Sequence, residues 1–341
     1  MKIPEPRRMS SGNWFIQMRL SGESITVTAA SKKEAIRQAE LIKAEHRTGR
    51  RTAAQKKVGE NTLAEVISRY IKFSEATLSP STLRGYKMYE KSRFKDFQNK
   101  KLDNIDFQLM IDKELSEFSV KTCKNGWGLV HAALVHIGYP VPVVKFAKSP
   151  VNEIAFLQPE EILPFCKALE GRSYEIPLLL ELHGLRMSEA LGLDWSRVNL
   201  EKKTITIRGA KVRGVDGYIT KETNKNASSA RTVPIMIPQL VRALEAVEDK
   251  TGSVVKITPP GLLADTKRTC ERAGVTVVTN HGLRHSFASL CYHLGINERQ
   301  LMSWGGWSDY HTMHKIYIRL AASDEQKAST VISSFFEPKK S

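Results

Sequence analysis

The chain has 341 residues and a formal net charge of +16, and 41% of its residues are hydrophobic and 8% aromatic. This length exceeds one ordinary hydrophobic core, and the hydrophobic content excludes an extensively disordered chain. The positive charge favours a polyanionic partner such as nucleic acid, because each phosphate neutralised by Lys or Arg releases condensed counterions.

The charge is most concentrated at the N-terminus, where residues 1–60 carry 13 Lys and Arg against 6 Asp and Glu. Residues 13–29 alternate apolar and polar side chains and predict a β-hairpin turning at 21–22. Ser31, with Glu34 three residues later, predicts the cap of a helix of about fourteen residues. The apolar positions are Trp14, Ile16, Met18 and Leu20 in the first strand, and Ala35, Ile36, Ala39 and Leu41 in the helix.

Residues 61–150 predict a helical domain. Helices are expected to open at 62–65 and 79–82, and a later one to cover 119–137. Two prolines then end the helical run and place a domain boundary within 140–155. The apolar positions are Val66, Ile67, Tyr70 and Ile71, then Leu83, Tyr86 and Tyr89, and then Trp127, Leu129, Val130, Leu134 and Val135.

From residue 157 the chain mixes helices with strands. One helix begins at 158–161 and another is predicted over 174–191. The runs 203–209, 217–220 and 232–236 predict three strands of one small antiparallel sheet, and mostly helix follows Pro238.

These elements predict a multidomain α+β protein, mainly α with small β-sheets. A module with a three-stranded sheet and one helix is expected in residues 1–58, with a basic linker over 46–58. A helical domain is expected in 59–150, and a mixed α+β domain with a C-terminal tail in 151–341.

The cysteines are too far apart in sequence for a disulfide framework or a zinc site. We expect reduced, packed thiols in a cytosolic protein. No apolar run approaches the ~18 residues of a membrane span, and the N-terminus lacks a signal-peptide core. No membrane partner is expected. The cysteines are Cys123, Cys166, Cys270 and Cys291.

An ordered series of reactive side chains runs through the second half of the chain. Metal-free cleavage of a phosphodiester needs such a set, because a tyrosine attacks phosphorus while fixed cations hold the charge on the phosphoryl oxygens. The series comprises Arg186, Lys221, His281, Arg284, Trp307 and Tyr317.

The series resembles the tyrosine recombinase, or phage integrase, family. The long match Gly184-Leu185-Arg186-x-Ser188-Glu189-x-Leu191-x-Leu193-x-Trp195 surrounds the first arginine. Thr220-Lys221 followed by Arg231-Thr232-Val233-Pro234 is similar to the family's lysine hairpin. Each motif alone is weak, since a His-x-x-Arg pair occurs by chance in many basic chains, but the ordered conjunction is specific.

The resemblance implies a role for each residue. Arg186 and Arg284 offer planar pairs of donors to the non-bridging oxygens. His281 is either the proton acceptor or an orienting donor, two roles that sequence leaves open. Lys221 is the candidate general acid, with Lys225 as its alternative because the interval to Arg231 is long for the family.

The aromatic positions depart from the common pattern. Trp307 stands where most members carry histidine; its indole can donate a hydrogen bond or pack beside the tyrosine. Tyr317 follows it by ten residues, against about nine in the common pattern. Tyr310 lies too close to the preceding turn, so Tyr317 is the expected nucleophile.

Four further side chains near these motifs are assigned by their neighbours in sequence. Glu189 is expected to orient Arg186 or His281, and Arg231 either contacts DNA backbone at a strand end or takes part in catalysis. Surface or packing roles are expected for Glu181 and Asp194.

The resemblance further implies the biology of the protein. It implies cleavage and rejoining of DNA through a 3′-phosphotyrosyl intermediate, without metal, cofactor or ATP. The expected partners are double-stranded DNA at core and arm attachment sites, three further copies in a homotetramer, and a DNA-bending or directionality factor. The expected location is the cytoplasm of a bacterial host cell.

Some parts of the chain resemble those of the family less specifically. Residues 59–150 are similar to the family's core-binding domain, and residues 1–58 to the arm-binding modules of some phage integrases. The apolar stripe within 325–336 is expected to dock on a neighbouring subunit or to fold back on its own domain.

Two other functions fit the same scaffold. A catalytically silent DNA-binding regulator would show a broken position in the series, for which the spacing before Tyr317 and the tryptophan at 307 are the only support. A type IB topoisomerase or resolvase-like strand transferase would share the residues and the tyrosyl ester.

Overall fold

A computed structural model of the chain describes residues 3–9, 12–20, 23–48, 58–148, 154–221 and 230–307. By its internal contacts the chain divides into two compact units, each described by itself below. The first comprises Met1–Leu78 with Gly85–Ser149, and the second Ser79–Arg84 with Pro150–Ser341. The three-domain division at 58/59 and 150/151 stays a prediction.

The N-terminal module is a three-stranded antiparallel sheet with one helix. The hairpin prediction is confirmed, and its turn residues 21–22 lie outside the described residues. Ile16 pairs with Val27, and both side chains are buried against the helix because alternate residues of a strand point to the same face. The elements are β1 (Arg7–Arg8), β2 (Trp14–Leu20), β3 (Glu23–Ala29) and α1 (Lys32–Thr48).

Helix α1 begins where the sequence predicted and runs a turn longer. Ser31 Oγ accepts a hydrogen bond from the Glu34 backbone N–H at 3.2 Å, which confirms the cap. Ala35 and Ala39 are buried in the core of the module, whereas Leu41, another apolar residue of the predicted helix, is 40% exposed. Ile42 packs there instead, because positions 35, 39 and 42 share one face of the helix.

Four helices and a short 3₁₀ turn follow. Thr62 and Glu65 cap the first reciprocally, with the Thr62 N–H donating to the carboxylate at 2.8 Å. The helix at 107–117 was not predicted as a separate element, and the apolar residue Val135 is 55% exposed. The helices are α2 (Leu63–Ser74), α3 (Pro80–Ser92), α4 (Phe107–Glu117) and α5 (Val120–His136), with the 3₁₀ turn at Leu102–Asn104.

The second unit contains seven helices in its described residues and confirms the mainly helical prediction after Pro238. The helices are α6 (Pro159–Leu169), α7 (Glu175–Leu182), α8 (Met187–Leu191), α9 (Pro238–Glu245), α10 (Pro259–Ala273), α11 (Asn280–His293) and α12 (Glu298–Gly305). The strands are β4 (Val198–Asn199), β5 (Thr204–Ile207), β6 (Ala210–Arg213), β7 (Tyr218–Lys221) and β8 (Arg231–Pro234).

The predicted three-stranded sheet is wrong in its membership. Strands β4, β5 and β8 form one antiparallel sheet, whereas β7 pairs only with β6 in a separate ribbon among the described residues. Ile205 and Ile207 of β5 and Val233 of β8 are buried, but β7 exposes Tyr218 to Thr220. Strand β7 therefore has no face to bury in the core sheet.

The single helix predicted over 174–191 is also wrong, because the chain breaks between α7 and α8. Gly184 adopts φ +97, a left-handed conformation that favours glycine. A Cβ added there would lie 2.7 Å from the Phe287 ring, so the backbone and the ring pack in direct contact. The break makes Arg186 the N-cap of α8 rather than a residue inside a helix.

We expect Gly184→Ala to destabilise the protein by about 3 kcal/mol, from backbone strain and from the clash with Phe287 together. Gly171 is the matched control, since it has φ +69 with open space around it. Gly171→Ala should cost about 1 kcal/mol. Urea unfolding followed by tryptophan fluorescence measures both, and equal losses would contradict the close approach to Phe287.

The core of the second unit lies between α6, α7, α10, α11 and the β4-β5-β8 sheet, and it includes the motif residues Leu185, Leu191, Leu193 and Trp195. All four cysteines of the chain are buried free thiols, as predicted. Burial raises the pKa of Cys166 to about 11 and that of Cys291 to about 12. Within the described ranges, no helix is long and apolar enough to cross a bilayer.

Candidate active site

Arg186 is fixed at the start of α8. Its backbone N–H donates to Glu189 Oε2 at 2.9 Å, and its Nη1 donates to Oε1 of the same carboxylate at 2.7 Å. Its Nη2 donates to the Gly306 carbonyl at 2.9 Å. The side chain remains 38% exposed. The guanidinium is therefore held by protein on one side and open on the other.

Arg284 lies in the middle of the site and is only 2% exposed. Its Nη1 donates to the carbonyls of Gly184 and Gly305, the latter at 2.6 Å. Its Nη2 is buried without a hydrogen-bond partner in the described part of the chain. Buried polar groups are nearly always satisfied, so this nitrogen has the capacity for one more acceptor.

A glycine turn at the end of α12 joins the two arginines. Gly305 accepts from Arg284 and Gly306 accepts from Arg186, so successive carbonyls hold guanidinium groups from two different helices. Gly306 has φ +64, which ends α12 in a left-handed cap. The Trp307 ring then lies 3.8 Å from Cζ of Arg284, within cation–π distance.

Arg231 completes the cluster from strand β8. Its Nη2 forms an ion pair with Glu189 Oε2 at 3.0 Å, and its Nε donates to the Trp304 carbonyl at 2.7 Å. Its side chain is 7% exposed. Its three nitrogens face protein groups, and the two predicted roles, contact with DNA backbone or a part in catalysis, stay predictions.

Glu189 is the acid shared by Arg186 and Arg231. Burial alone would raise the pKa of Glu189, but the hydrogen bonds and charges of Arg231 and Arg186 outweigh it and lower that pKa. Burial, and then the charge of Arg186, lower the pKa of Arg284. A guanidinium still stays protonated at neutral pH, because its ordinary pKa lies above about 12. The cluster thus keeps a net positive charge.

His281 stands one turn before Arg284 on helix α11, and its side chain is exposed. Its ring meets that of His285 edge-on, with the centroids 4.7 Å apart. Partial burial, together with the charges of Arg284 and Arg186, lowers the pKa of His281. The ring is therefore neutral at pH 7 and able to accept a proton.

Lys221 ends strand β7, where it pairs with Ala210 of β6. Strand β6 packs against Gly192, just after α8: a Cβ added to that glycine would lie 2.8 Å from the backbone nitrogen of Lys211. The ribbon thus sits beside the helix that Arg186 caps. Lys225 lies outside the described residues, so the choice between the two lysines stays open.

Three further predictions also lie outside the described residues. They concern the expected nucleophile Tyr317, the rejected alternative Tyr310 and the apolar stripe within 325–336. Of the six predicted site residues, Arg186, Arg284 and Trp307 meet at the 305–307 turn. His281 lies one helical turn away from Arg284, and Lys221 lies on the adjoining ribbon. Their chemical roles stay predictions.

A second buried group lies beneath α11. Glu181 is fully buried, so the surface role predicted for it is wrong and the packing role is right. Burial raises the pKa of Glu181 to about 8, although a hydrogen bond from Asn280 opposes it. Asn280 Nδ2 donates to Oε1 at 2.9 Å, and Thr266 Oγ1 donates to Asn280 Oδ1 at 3.2 Å. The network braces the residue immediately before His281.

Sequence reasoning missed the buried position of Arg231 and left the burial of Glu181 undecided. The only signal for Arg231 was its place in Arg-Thr-Val-Pro directly after the lysine hairpin, and Glu181 had none beyond its apolar neighbours in Leu-Leu-Leu-Glu-Leu. Asp194 packs locally, accepting from the Ser196 N–H at 3.0 Å to cap a 3₁₀ turn.

Comparison with known proteins agrees with the geometry. Residues 154–324, half of the chain, match the phage integrase family. The XerC-like tyrosine recombinase of Caldanaerobacter subterraneus is 26% identical over 216 residues, covering 54% of this chain and 55% of the relative. The XerA tyrosine recombinase of Thermococcus onnurineus is 29% identical over 196 residues, covering 54% and 64%. The chain thus spans less than two thirds of the length of these relatives.

Solved structures share the fold. The Tn1549 transposon integrase in complex with transposon right-end DNA superposes with a TM-score of 0.62 at 17% identity, covering 79% of this chain and all of that one. A lambda integrase dimer bound to a core site gives 0.56 at 15% identity, covering 92% and 94%. The predicted α+β fold class is confirmed. The family match over half of the sequence shows that the chain belongs to the phage integrase family of tyrosine recombinases.

Proposed function

We propose that the protein is a site-specific DNA recombinase that cleaves and rejoins duplex DNA through a covalent tyrosyl ester. The observation that carries the proposal is the meeting of two guanidinium groups at one glycine turn. Arg186 and Arg284 donate to the successive carbonyls of Gly306 and Gly305, with an open face on one guanidinium and an unpartnered nitrogen on the other. Such a pair fits the two non-bridging oxygens of a phosphodiester.

The proposed reaction needs no reactant other than the DNA and the protein's own side chains. The Tyr317 hydroxyl oxygen bonds to phosphorus and its proton passes to His281, while the bond from phosphorus to the 5′ oxygen breaks. Lys221, or Lys225 in its place, donates a proton to that oxygen. The ester keeps the energy of the broken bond, so a 5′ hydroxyl rejoins the strand by the reverse step without ATP, metal or cofactor. Trp307 is proposed to pack on Arg284 and to donate its indole N–H to the phosphate.

Trapping on a nicked substrate tests the proposal. A duplex from the repeats that flank the gene, nicked just beyond the scissile phosphate, loses its short 5′-hydroxyl fragment on cleavage and blocks rejoining. We expect an adduct that survives boiling in detergent, with the DNA on the tryptic peptide 316–319, which contains Tyr317. No adduct with any flanking repeat would favour a silent DNA-binding regulator. Relaxation of supercoils without joining of two duplexes would favour a topoisomerase.

The N-terminal module is proposed to bind arm sites, separate from the core site held by the helical and catalytic domains. Its segment is the most basic part of the chain for its length, as phosphate contacts require. We expect deletion of residues 1–58 to abolish integration of an attachment-site plasmid while cleavage of a nicked core site stays measurable. Equal loss of both activities would mean that the module only stabilises the fold.

The assembly is proposed to be a homotetramer on two DNA sites, helped by a DNA-bending or directionality factor, in the cytoplasm of a bacterial host. The lambda integrase has been solved as a tetramer bound to a Holliday junction, with a TM-score of 0.53 to this chain at 17% identity. A complex of four protomers with two duplexes, weighed by analytical ultracentrifugation, supports this assembly; a stable 1:1 complex at saturating protein opposes it.

The pH dependence of cleavage tests the role of His281. Because the pKa of His281 is lowered, the neutral, proton-accepting ring should persist below the ordinary imidazole pKa of about 6.5. We expect the single-turnover cleavage rate at saturating DNA to stay level down to that pH and to fall only below it. His281→Gln should remove this acidic limb. A limb centred at or above pH 6.5 would contradict the assignment.

A further inference from the structure

We propose that Arg231 is a positioning residue for cleavage. Its guanidinium holds Glu189 and the glycine turn in the arrangement that lets Arg186 and Arg284 reach one phosphate. The inference rests on the proposed function, in which those two arginines bind the phosphodiester. It assigns to Arg231 an action through other groups and no contact with DNA.

The contacts of Arg231 join three elements that are distant in sequence. From strand β8, its Nη1 and Nη2 lie 3.3 and 3.0 Å from the two oxygens of Glu189, which belongs to α8. Its Nε donates at 2.7 Å to the carbonyl of Trp304 in α12. The guanidinium thus ties the acid that orients Arg186 to the helix end that supplies carbonyls to both arginines.

The fit between Arg231 and the turn is close. A Cβ added to Gly306 would lie 2.6 Å from Nη1 of Arg231, so the turn backbone packs directly on the guanidinium. The same glycine carbonyl accepts from Arg186. A shift of the Arg231 head would therefore move the Gly306 carbonyl and, with it, Nη2 of Arg186.

Burial separates the two arginines that share Glu189. The Arg231 side chain is 7% exposed and Arg186 is 38% exposed, although both bind the same carboxylate. Only Arg186 keeps an accessible face for a phosphate. A planar fork is needed to reach two carboxylate oxygens and a carbonyl together, and a lysine ammonium can replace only part of that set.

The test compares Arg231→Lys with Arg272→Lys in the full-length protein. Arg272 is the matched control because its fork also spans two acceptors, the Ala168 carbonyl at 3.1 Å and the Tyr174 hydroxyl at 2.9 Å, on an exposed surface. Two readouts are needed. Hydrogen exchange of the peptide 303–307 reports the turn without DNA, and single-turnover cleavage of the nicked duplex is compared with non-covalent binding.

We expect Arg231→Lys to raise exchange in 303–307 and to slow cleavage roughly a hundredfold, the loss typical of a misplaced catalytic group, with binding changed less than about twofold. A substrate with a neutral methylphosphonate at the scissile position should reduce the difference in cleavage rate between Arg231→Lys and the unaltered protein, because it removes the charge that the displaced Arg186 has to hold. Arg272→Lys should change neither readout.

Three outcomes would overturn the positioning role of Arg231. In the first, Arg231→Lys changes neither hydrogen exchange nor cleavage. In the second, binding and cleavage fall in parallel and exchange rises across the whole unit, and in the third, the neutral substrate leaves the cleavage defect unchanged. If the unaltered protein forms no adduct, the proposed function fails instead. The exchange comparison still decides whether Arg231 holds the turn.

Discussion

Tyr317→Phe is expected to abolish the covalent protein–DNA adduct, with cleavage at least about 10⁴-fold slower than in the unaltered protein. The substitution removes a single oxygen. Phenylalanine keeps the aromatic ring, so no other donor or acceptor of the proposed reaction is changed. The measurement is the rate of adduct formation on the nicked duplex, read from a denaturing gel.

Two comparisons make this result specific to the nucleophile. Tyr310→Phe should leave the adduct intact, because Tyr310 follows Trp307 by only three residues. Binding of Tyr317→Phe to the same duplex, measured by gel shift at fixed salt, should match the parent. Persistence of the adduct in Tyr317→Phe together with its loss in Tyr310→Phe would transfer the role to Tyr310.

Arg284→Lys is expected to slow cleavage by about 10³-fold, the upper range for loss of one preorganised donor to a developing charge. Arg284 Nη1 bonds two carbonyls and Nη2 has no partner in the described residues, so in the proposed reaction one fork would serve protein and phosphate together. A lysine side chain has a single nitrogen with which to bind both the carbonyls and the phosphate. If that ammonium satisfies the carbonyls it cannot also hold the phosphate.

The control for Arg284→Lys is again Arg272→Lys, which exchanges the same side chains away from the site. Because the change at 284 is buried, the melting temperature must be measured beside the rate, and the protein assayed well below it. A tenfold or smaller loss of cleavage in folded Arg284→Lys would mean that charge alone suffices. The fork would then serve only to bind the turn.

Local chemistry made the helix starts predictable. Ser31 with Glu34 and Thr62 with Glu65 lie three residues apart, so the sequence alone contains both partners of each cap. The pairing of Arg186 with Glu189 was predictable for the same reason. The fold class followed from the predicted helices and strands, and the site residues followed from the order of the motifs, so neither prediction required contacts between distant residues.

Contacts between distant residues decided what the sequence did not predict. The break before α8 depends on Gly184 meeting Phe287, and nothing in 174–191 indicates that ring. The place of β7 depends on which strand it pairs with. Arg231 was assigned from its neighbours in the chain, while its partners Glu189 and Trp304 come from other elements. Contacts between residues so far apart in the chain cannot be predicted from the local pattern of a single sequence.

The arginine cluster makes the stability of the folded domain depend on a bound anion. Arg186 and Arg231 pair with Glu189, and Arg284 binds the Gly305 carbonyl beside them, so within the described chain the cluster holds more cationic than acidic charge. Mutual repulsion weakens the folded state when no anion is present. A polyvalent anion that binds only this state raises stability in proportion to the logarithm of its concentration. The anion-free domain is thereby the less stable form, and a phosphodiester bound as proposed would also stabilise the fold.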